Sequence, residues 1–149
     1  MKRILIGMTL VASGFLAGAF VFTGTQARSF TALANCGDSC YRTNDLVGLM
    51  ASAAIRHTPG WLPMVVKESP RCVTIEHPVP GGRLHFVSFP KRDIKDVADI
   101  SGGDQAYVME CLDHVRELVT QHKLRAYKVL TNGPGYQHLT YLHFHLIAN

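Results

Sequence analysis

Charge is scarce in this chain and tryptophan occurs once. Only 17% of the 149 residues are Asp, Glu, Lys or Arg, and the formal charge of +4 shrinks further along the chain. With Lys2 and Arg3 set aside, residues 28–149 hold 13 basic against 11 acidic side chains, a net of +2. So slight an excess, with no basic run interleaved with aromatics, leaves no electrostatic footprint for nucleic acid. No internal repeat is visible, and no linker is long enough to divide the region after residue 35 into separate domains. Four cysteines are too few for a disulfide-dense scaffold, and only Cys36 and Cys40 stand close together. Without a second such pair, their spacing is a weak signal for zinc. What remains is an ordinary core-forming composition, 47% hydrophobic, in a length that suits one domain.

The one long apolar run is at the N-terminus. Ile4 to Phe22 carries no charge and follows Lys2 and Arg3. As a helix it rises about 28 Å, close to the roughly 30 Å of bilayer hydrocarbon. No polar face interrupts it, so a buried helix of a soluble fold explains it poorly. The basic residues ahead of the run place the N-terminus in the cytoplasm and send the remainder across the membrane. Two fates stay open. The run is longer than a secretory h-region, which favours an uncleaved anchor, while small-residue sites at Thr25-Gln26-Ala27 and Ala32-Leu33-Ala34 would suit a cleaved signal and a secreted product. Residues 1–34 are therefore read as a signal peptide or transmembrane anchor, residues 35–62 as a connecting helical region, and residues 63–149 as the main domain, held on the exported side.

An exported compartment permits disulfides, and Cys36 and Cys40 are the candidates for a local bridge. Cys72, in a strand-like run, and Cys111, on the apolar side of a helix, read as small core residues. Asn44 and Asp45 open a helix whose apolar positions Leu46, Leu49, Met50, Ala53 and Ala54 run up to His57, and Thr58-Pro59-Gly60 stops it. Short strands follow at Met64–Val66, Cys72–Ile75 and Leu84–Phe89. A short helical segment is expected over Ile94–Ile100. Ser101-Gly102-Gly103-Asp104 then caps a longer helix from Gln105 to about His122, with Val108, Cys111, Leu112, Val115, Leu118 and Val119 on its core face. His114 and His122 of that helix read as surface groups. Strands at Arg125–Leu130 and His138–Ile147 flank a Gly- and Pro-containing loop. This order predicts an α+β fold, an antiparallel sheet of about five strands with helices packed on one side.

The richest chemistry lies in the last nine residues, Tyr141 to Asn149. In a strand, Tyr141, His143 and His145 line one face and Leu142, Phe144 and Leu146 the other. The two imidazoles then stand roughly 6 to 7 Å apart, within reach of one phosphate or one metal ion. Leu84-His85-Phe86-Val87-Ser88-Phe89-Pro90-Lys91-Arg92, the helices after it, Asn132, the glycine loop, Gln137 and the terminal His-x-His strand together resemble the histidine triad superfamily of nucleotide hydrolases and transferases. The likeness covers about residues 63–149.

That resemblance implies a phosphohistidine chemistry. The family pattern has three alternating histidines, and Tyr141 stands in place of the first. His143 matches the central one, which attacks the α-phosphate, and His145 would sit beside the phosphate and donate to it or help the leaving group. Asn132 and Gln137 fall where the family contacts phosphate and nucleotide, and His77 replaces the acidic residue that holds ribose hydroxyls, unless Glu76 takes its place. His85 is either a hydrogen-bond partner within its strand or a substrate contact. Neither a cofactor nor a metal is expected. The partner would be a phosphate-containing small molecule, with the membrane reached through the N-terminal helix, and family members commonly pair as homodimers. Two rivals stay open: a catalytically degenerate accessory or structural subunit of a membrane complex, and a metal-binding module using His143, His145 and perhaps Cys36 or Cys40.

Overall fold

A computed structural model of the protein describes residues 2–31 and 40–149. Cys36 lies outside the described residues, so the expected Cys36–Cys40 bridge does too. In chain order the elements are helix α1 (Lys2–Phe22), helix α2 (Thr43–His57), strands β1 (Val65–Glu68), β2 (Cys72–Glu76) and β3 (Leu84–Pro90), helix α3 (Gln105–Gln121), and strands β4 (Tyr127–Leu130) and β5 (Phe144–Ala148). The strands form one antiparallel sheet in the order β1-β2-β3-β5-β4, so the last strand of the chain is inserted beside the central one.

The period-2 patterning of β2, β3 and β5 sends alternate residues to opposite faces, and both faces are covered. On one, α3 packs Cys111, Val115 and Leu118 against Cys72, Phe86, Leu142, Phe144 and Leu146. On the other, Ile55 of α2 joins Val73, Val87, Phe89 and Tyr141. Full burial of side chains such as Leu142 and Leu146 is worth about 1.5 to 3 kcal/mol each. The α+β antiparallel sheet is thus as expected, and the connecting helix α2 adds a cover on the face opposite α3. Gly48 permits its close approach: a Cβ there would lie 2.3 Å from the Thr140 carbonyl oxygen.

Several expectations need correcting. The closing strand starts at Phe144 rather than His138, because the preceding amides are spent elsewhere: Thr140 N–H donates to the Asn44 carbonyl, Tyr141 N–H to that of Leu139 and Leu142 N–H to that of Ile94. The segment Ile94–Ile100 holds only a 3-10 turn at Val97–Asp99, capped by the Asp96 side chain. His114 is 2% exposed rather than a surface group. Its Nδ1 bonds Thr74 Oγ1 at 2.9 Å, and that hydroxyl bonds Ser88 Oγ at 2.8 Å, a polar thread between α3 and the sheet. Cys72 and Cys111 are core residues as expected, yet they are also joined in a disulfide that ties β2 to α3.

Helix α1 stands apart from this core. Its apolar side chains are exposed along most of its length, and it is long and apolar enough to cross a membrane, a property that an anchor and a signal sequence share. Its end meets the rest of the described residues: the Phe20 ring lies 5.2 Å from that of His57, whose Nε2 bonds the Val21 carbonyl.

The disulfide closes a sequence separation of 39 residues, for which the chain-entropy model gives about 4 kcal/mol. The Cys72→Ala/Cys111→Ala variant is therefore expected to lose roughly 3 to 4 kcal/mol in urea denaturation. A loss below about 1 kcal/mol would show that the bond contributes little to stability.

Candidate functional site

The sheet register gathers histidines from three strands. Glu76 pairs with Phe86, so His77, the next residue out, lies beside His85, and its N–H donates to the His85 carbonyl at 2.8 Å. Val87 pairs with His145 and His85 with Ile147, which places His145 diagonally across from His85 on the same face. His143 precedes His145 by two residues and shares that face. The result is a continuous row of rings. Tyr141 and Phe89 are 5.9 Å apart, Phe89 and His143 5.4 Å, His143 and His145 4.7 Å, His145 and His85 5.1 Å, and His85 and His77, stacked nearly parallel, 4.2 Å.

Hydrogen-bond partners fix the protons of these rings. The Gly81 N–H can only donate, and it points at His85 Nδ1 at 3.1 Å, so the His85 proton sits on Nε2. That Nε2–H then donates to His145 Nδ1 at 2.9 Å, which leaves the His145 proton on its own Nε2. This Nε2 is buried and meets no partner among the described residues. His143 is held the opposite way: its Nδ1 donates to the Tyr141 carbonyl at 2.6 Å, so the lone pair is on Nε2. The cluster therefore offers a nucleophilic nitrogen on one ring and an N–H donor on the ring beside it.

Burial favours the neutral form of His145, His143 and His85. It pushes the His145 pKa down to about 4, with smaller contributions from His143, His85 and His77. Burial also lowers those of His143 and His85, in each case helped by the charge His77 would carry. Tyr141 is buried against Ile55, Val73, Val87 and Phe89, its hydroxyl donates to the Pro90 carbonyl, and desolvation raises its pKa. It closes the row as a core residue.

The structure thus brings together His77, His85, His143 and His145. It places Gln137 elsewhere: that side chain is 5% exposed, and its Nε2 donates to the Lys95 carbonyl at 3.1 Å. Asn132 is half-buried, two residues beyond Leu130, which pairs with His145 across the sheet. Access at the rings is narrow. His143 is 6% exposed, while His145 and His77 are half-buried. A hollow of about 500 Å³ lies away from them, bordered by Arg28, Asn44, Lys95, Gln137 and Thr140. Sequence reasoning missed the direct bond from His85 to His145; its signal is a histidine at the start of one strand, His85-Phe86-Val87, facing the His-x-His of the last. No group of three or more metal-ligating side chains forms among the described residues, so the metal-module rival gains no support.

Comparison with known proteins bears on this geometry. Residues 62–149 match the family model described as scavenger mRNA decapping enzyme C-term binding. No curated protein matches the chain. Among solved structures, the fold is similar to that of a HIT family hydrolase from Legionella pneumophila Philadelphia 1, with TM-score 0.57 and 21% identity over 63% of this chain and 88% of that one. A HIT family hydrolase from Clostridium thermocellum gives TM-score 0.59 and 20% identity over 67% and 89%. A histidine triad nucleotide-binding protein from Candida albicans gives 0.55 and 21% over 65% and 71%. At such identities the likeness is one of fold. The family match covers more than half of the chain: the chain belongs to the scavenger mRNA decapping enzyme C-terminal binding family, and its fold is of the HIT type.

Proposed function

We propose that this HIT-type domain hydrolyses or transfers a phosphorus-linked group, with a nucleotide or another phosphate ester, anhydride or phosphoramidate as substrate. The carrying observation is the opposed tautomers of adjacent rings: His143 with Nε2 free to attack, and His145 with Nε2–H turned to no partner among the described residues. In the proposed reaction His143 Nε2 forms a bond to phosphorus while the bond from phosphorus to the leaving group breaks. The leaving group takes a proton from solvent, and His143 becomes an Nε2-phosphorylated imidazolium whose Nδ1–H stays on the Tyr141 carbonyl. Water then attacks phosphorus, releases its proton to solvent and returns His143 to its neutral form. With a pKa near 4, His145 is uncharged at neutral pH, so its role is that of a fixed hydrogen-bond donor to the phosphoryl oxygen rather than a charged acid.

The same reading places the domain on the outer side of a membrane. The exposed apolar helix α1 preceded by Lys2 and Arg3 supports it, and so does the Cys72–Cys111 bond, since disulfides persist in oxidising compartments. A second reading, an accessory subunit of a membrane complex that has lost turnover, draws on Tyr141 at the first triad position and on the 6% exposure of His143.

One measurement decides between them. The purified chain is incubated with nucleoside phosphoramidates and dinucleoside polyphosphates, then quenched in base, where phosphohistidine survives. Turnover with a His143 peptide carrying the transferred nucleoside-phosphoryl group is expected, His143→Ala should lower kcat by roughly 10⁴-fold or more, and His145→Ala by about 10²- to 10³-fold. Absence of both turnover and phosphopeptide across the panel supports the accessory subunit.

A separate measurement tests the protonation state of the rings through pH. His145, His143 and His85 have folded pKa values below the unfolded 6.5, so the unfolded chain binds more protons as pH falls through that value. Their contribution to stability is present above about pH 6.5 and is lost as pH drops towards about 4. Thermal melts from pH 7.5 to 4.5 should show a falling Tm that is flatter in His145→Gln. A pH-independent Tm over that range would show that the rings are not held neutral by burial.

A further inference from the structure

The segment that follows the apolar helix is bolted into the domain next to the histidine row. Arg28 forms a two-pronged ion pair with Asp93, one nitrogen 2.5 Å from Oδ1 and the other 2.6 Å from Oδ2, and both side chains are 0% exposed. The nitrogen that meets Oδ1 also donates to the Thr140 carbonyl at 2.9 Å, and the one that meets Oδ2 donates to the Gln26 carbonyl at 3.1 Å. The Gln26 N–H donates to Asp93 Oδ2 at 2.6 Å, and the Gln26 side chain accepts from Lys95 N–H at 3.2 Å. Asp93 stands three residues past the end of β3, and Thr140 immediately precedes Tyr141, whose carbonyl holds His143 Nδ1–H.

We propose that Arg28 is a positioning residue for His143: its planar fork ties the exit of β3 to the peptide before Tyr141 and so fixes the carbonyl that sets the His143 tautomer. The inference rests on the proposed role of His143. Only a guanidinium has the geometry to bridge both carboxylate oxygens and still reach a third acceptor; an ammonium is a point charge that can keep the pair but not the bridge. A carbonyl one peptide from the catalytic ring needs such a tie, because residues 137–143 lie outside the sheet ladder and are held by contacts with α2, Ile94 and Arg28 instead. It follows that the working domain begins no later than Arg28. A product starting after Ala34 would lose the tie and leave Asp93 buried without its partner, a costly arrangement.

The test uses the full chain in detergent micelles, with Arg28→Lys and, to avoid an unpaired buried charge, the neutral pair Arg28→Gln/Asp93→Asn. Folding is checked by melting, the His143 tautomer by ring ¹⁵N shifts, and activity with a nucleoside phosphoramidate. In the folded variants kcat should fall by between about tenfold and a hundredfold with KM within twofold. The His143 nitrogens should move towards averaged tautomer values while those of His145 stay put. Wild-type kcat together with unshifted His143 nitrogens in either folded variant would overturn the proposal and leave Arg28 a strut. Should the parent chain show no turnover, the enzymatic reading fails on its own, and the ¹⁵N shifts alone still decide whether Arg28 sets the His143 tautomer.

Discussion

The pairing of β5 with β3 is the constraint on which the site depends. Because side chains in a ladder alternate with period 2, the match of Val87 with His145 decides at once that Leu146 and Phe144 face α3 and that His145 faces His85. A slip of one residue would carry the imidazoles into the apolar layer under α3 and bring Leu146 to the histidine row. The apolar set on the other face makes that slip expensive, so the hydrophobic core and the placement of the chemistry are one choice. The disulfide from Cys72 to Cys111 strengthens it by fixing the helix over the middle of the same sheet.

Burial does two jobs in the histidine row. It limits water at the rings, of which His143 and His145 meet edge to face, and by desolvating His145 it disfavours the charged form. A row of charged imidazoles at 4 to 6 Å spacing would repel, whereas neutral rings can hand hydrogen bonds along the line from the Gly81 amide through His85 to His145. The polarity of that line is set by an amide that cannot accept. His143 takes the opposite polarity from a carbonyl that cannot donate. Opposed tautomers on neighbouring rings follow from two backbone groups and need no acidic side chain.

Much of this was legible in the sequence, for reasons that also explain what was not. The alternation of Tyr141, His143 and His145 with Leu142, Phe144 and Leu146 separates two faces even though residues 141–143 fall outside the ladder: Tyr141 packs with Val87 and Phe89, and Leu142 with Cys72 and Cys111. The core face of α3 was readable from its three- and four-residue spacing, and that spacing in fact includes His114, one turn from Cys111; polarity alone suggested solvent, and the hydroxyls of Thr74 and Ser88 that satisfy it come from other strands. The Cys72–Cys111 bond could not be read from two cysteines 39 residues apart, since connectivity is a property of the fold. The bond from the Gln137 amide to the Lys95 carbonyl could not be read either, since its partner lies 42 positions away.

The least legible feature is the role of residues 20–28. In a linear reading they are the tail of a hydrophobic leader, a spacer between membrane and domain. In the fold the His57 ring bonds the last turn of α1, Gly24 lies against the Arg56 guanidinium, Gln26 brackets residues 93 and 95, and Arg28 closes over Asp93. A flexible tether would leave its backbone groups to water and would carry no buried charge. Here a fully buried cation has been accepted, which is tolerable only because a carboxylate and two carbonyls are in place to receive it. The end of the apolar helix and the peptide ahead of Tyr141 are therefore joined to the domain through one set of buried polar contacts.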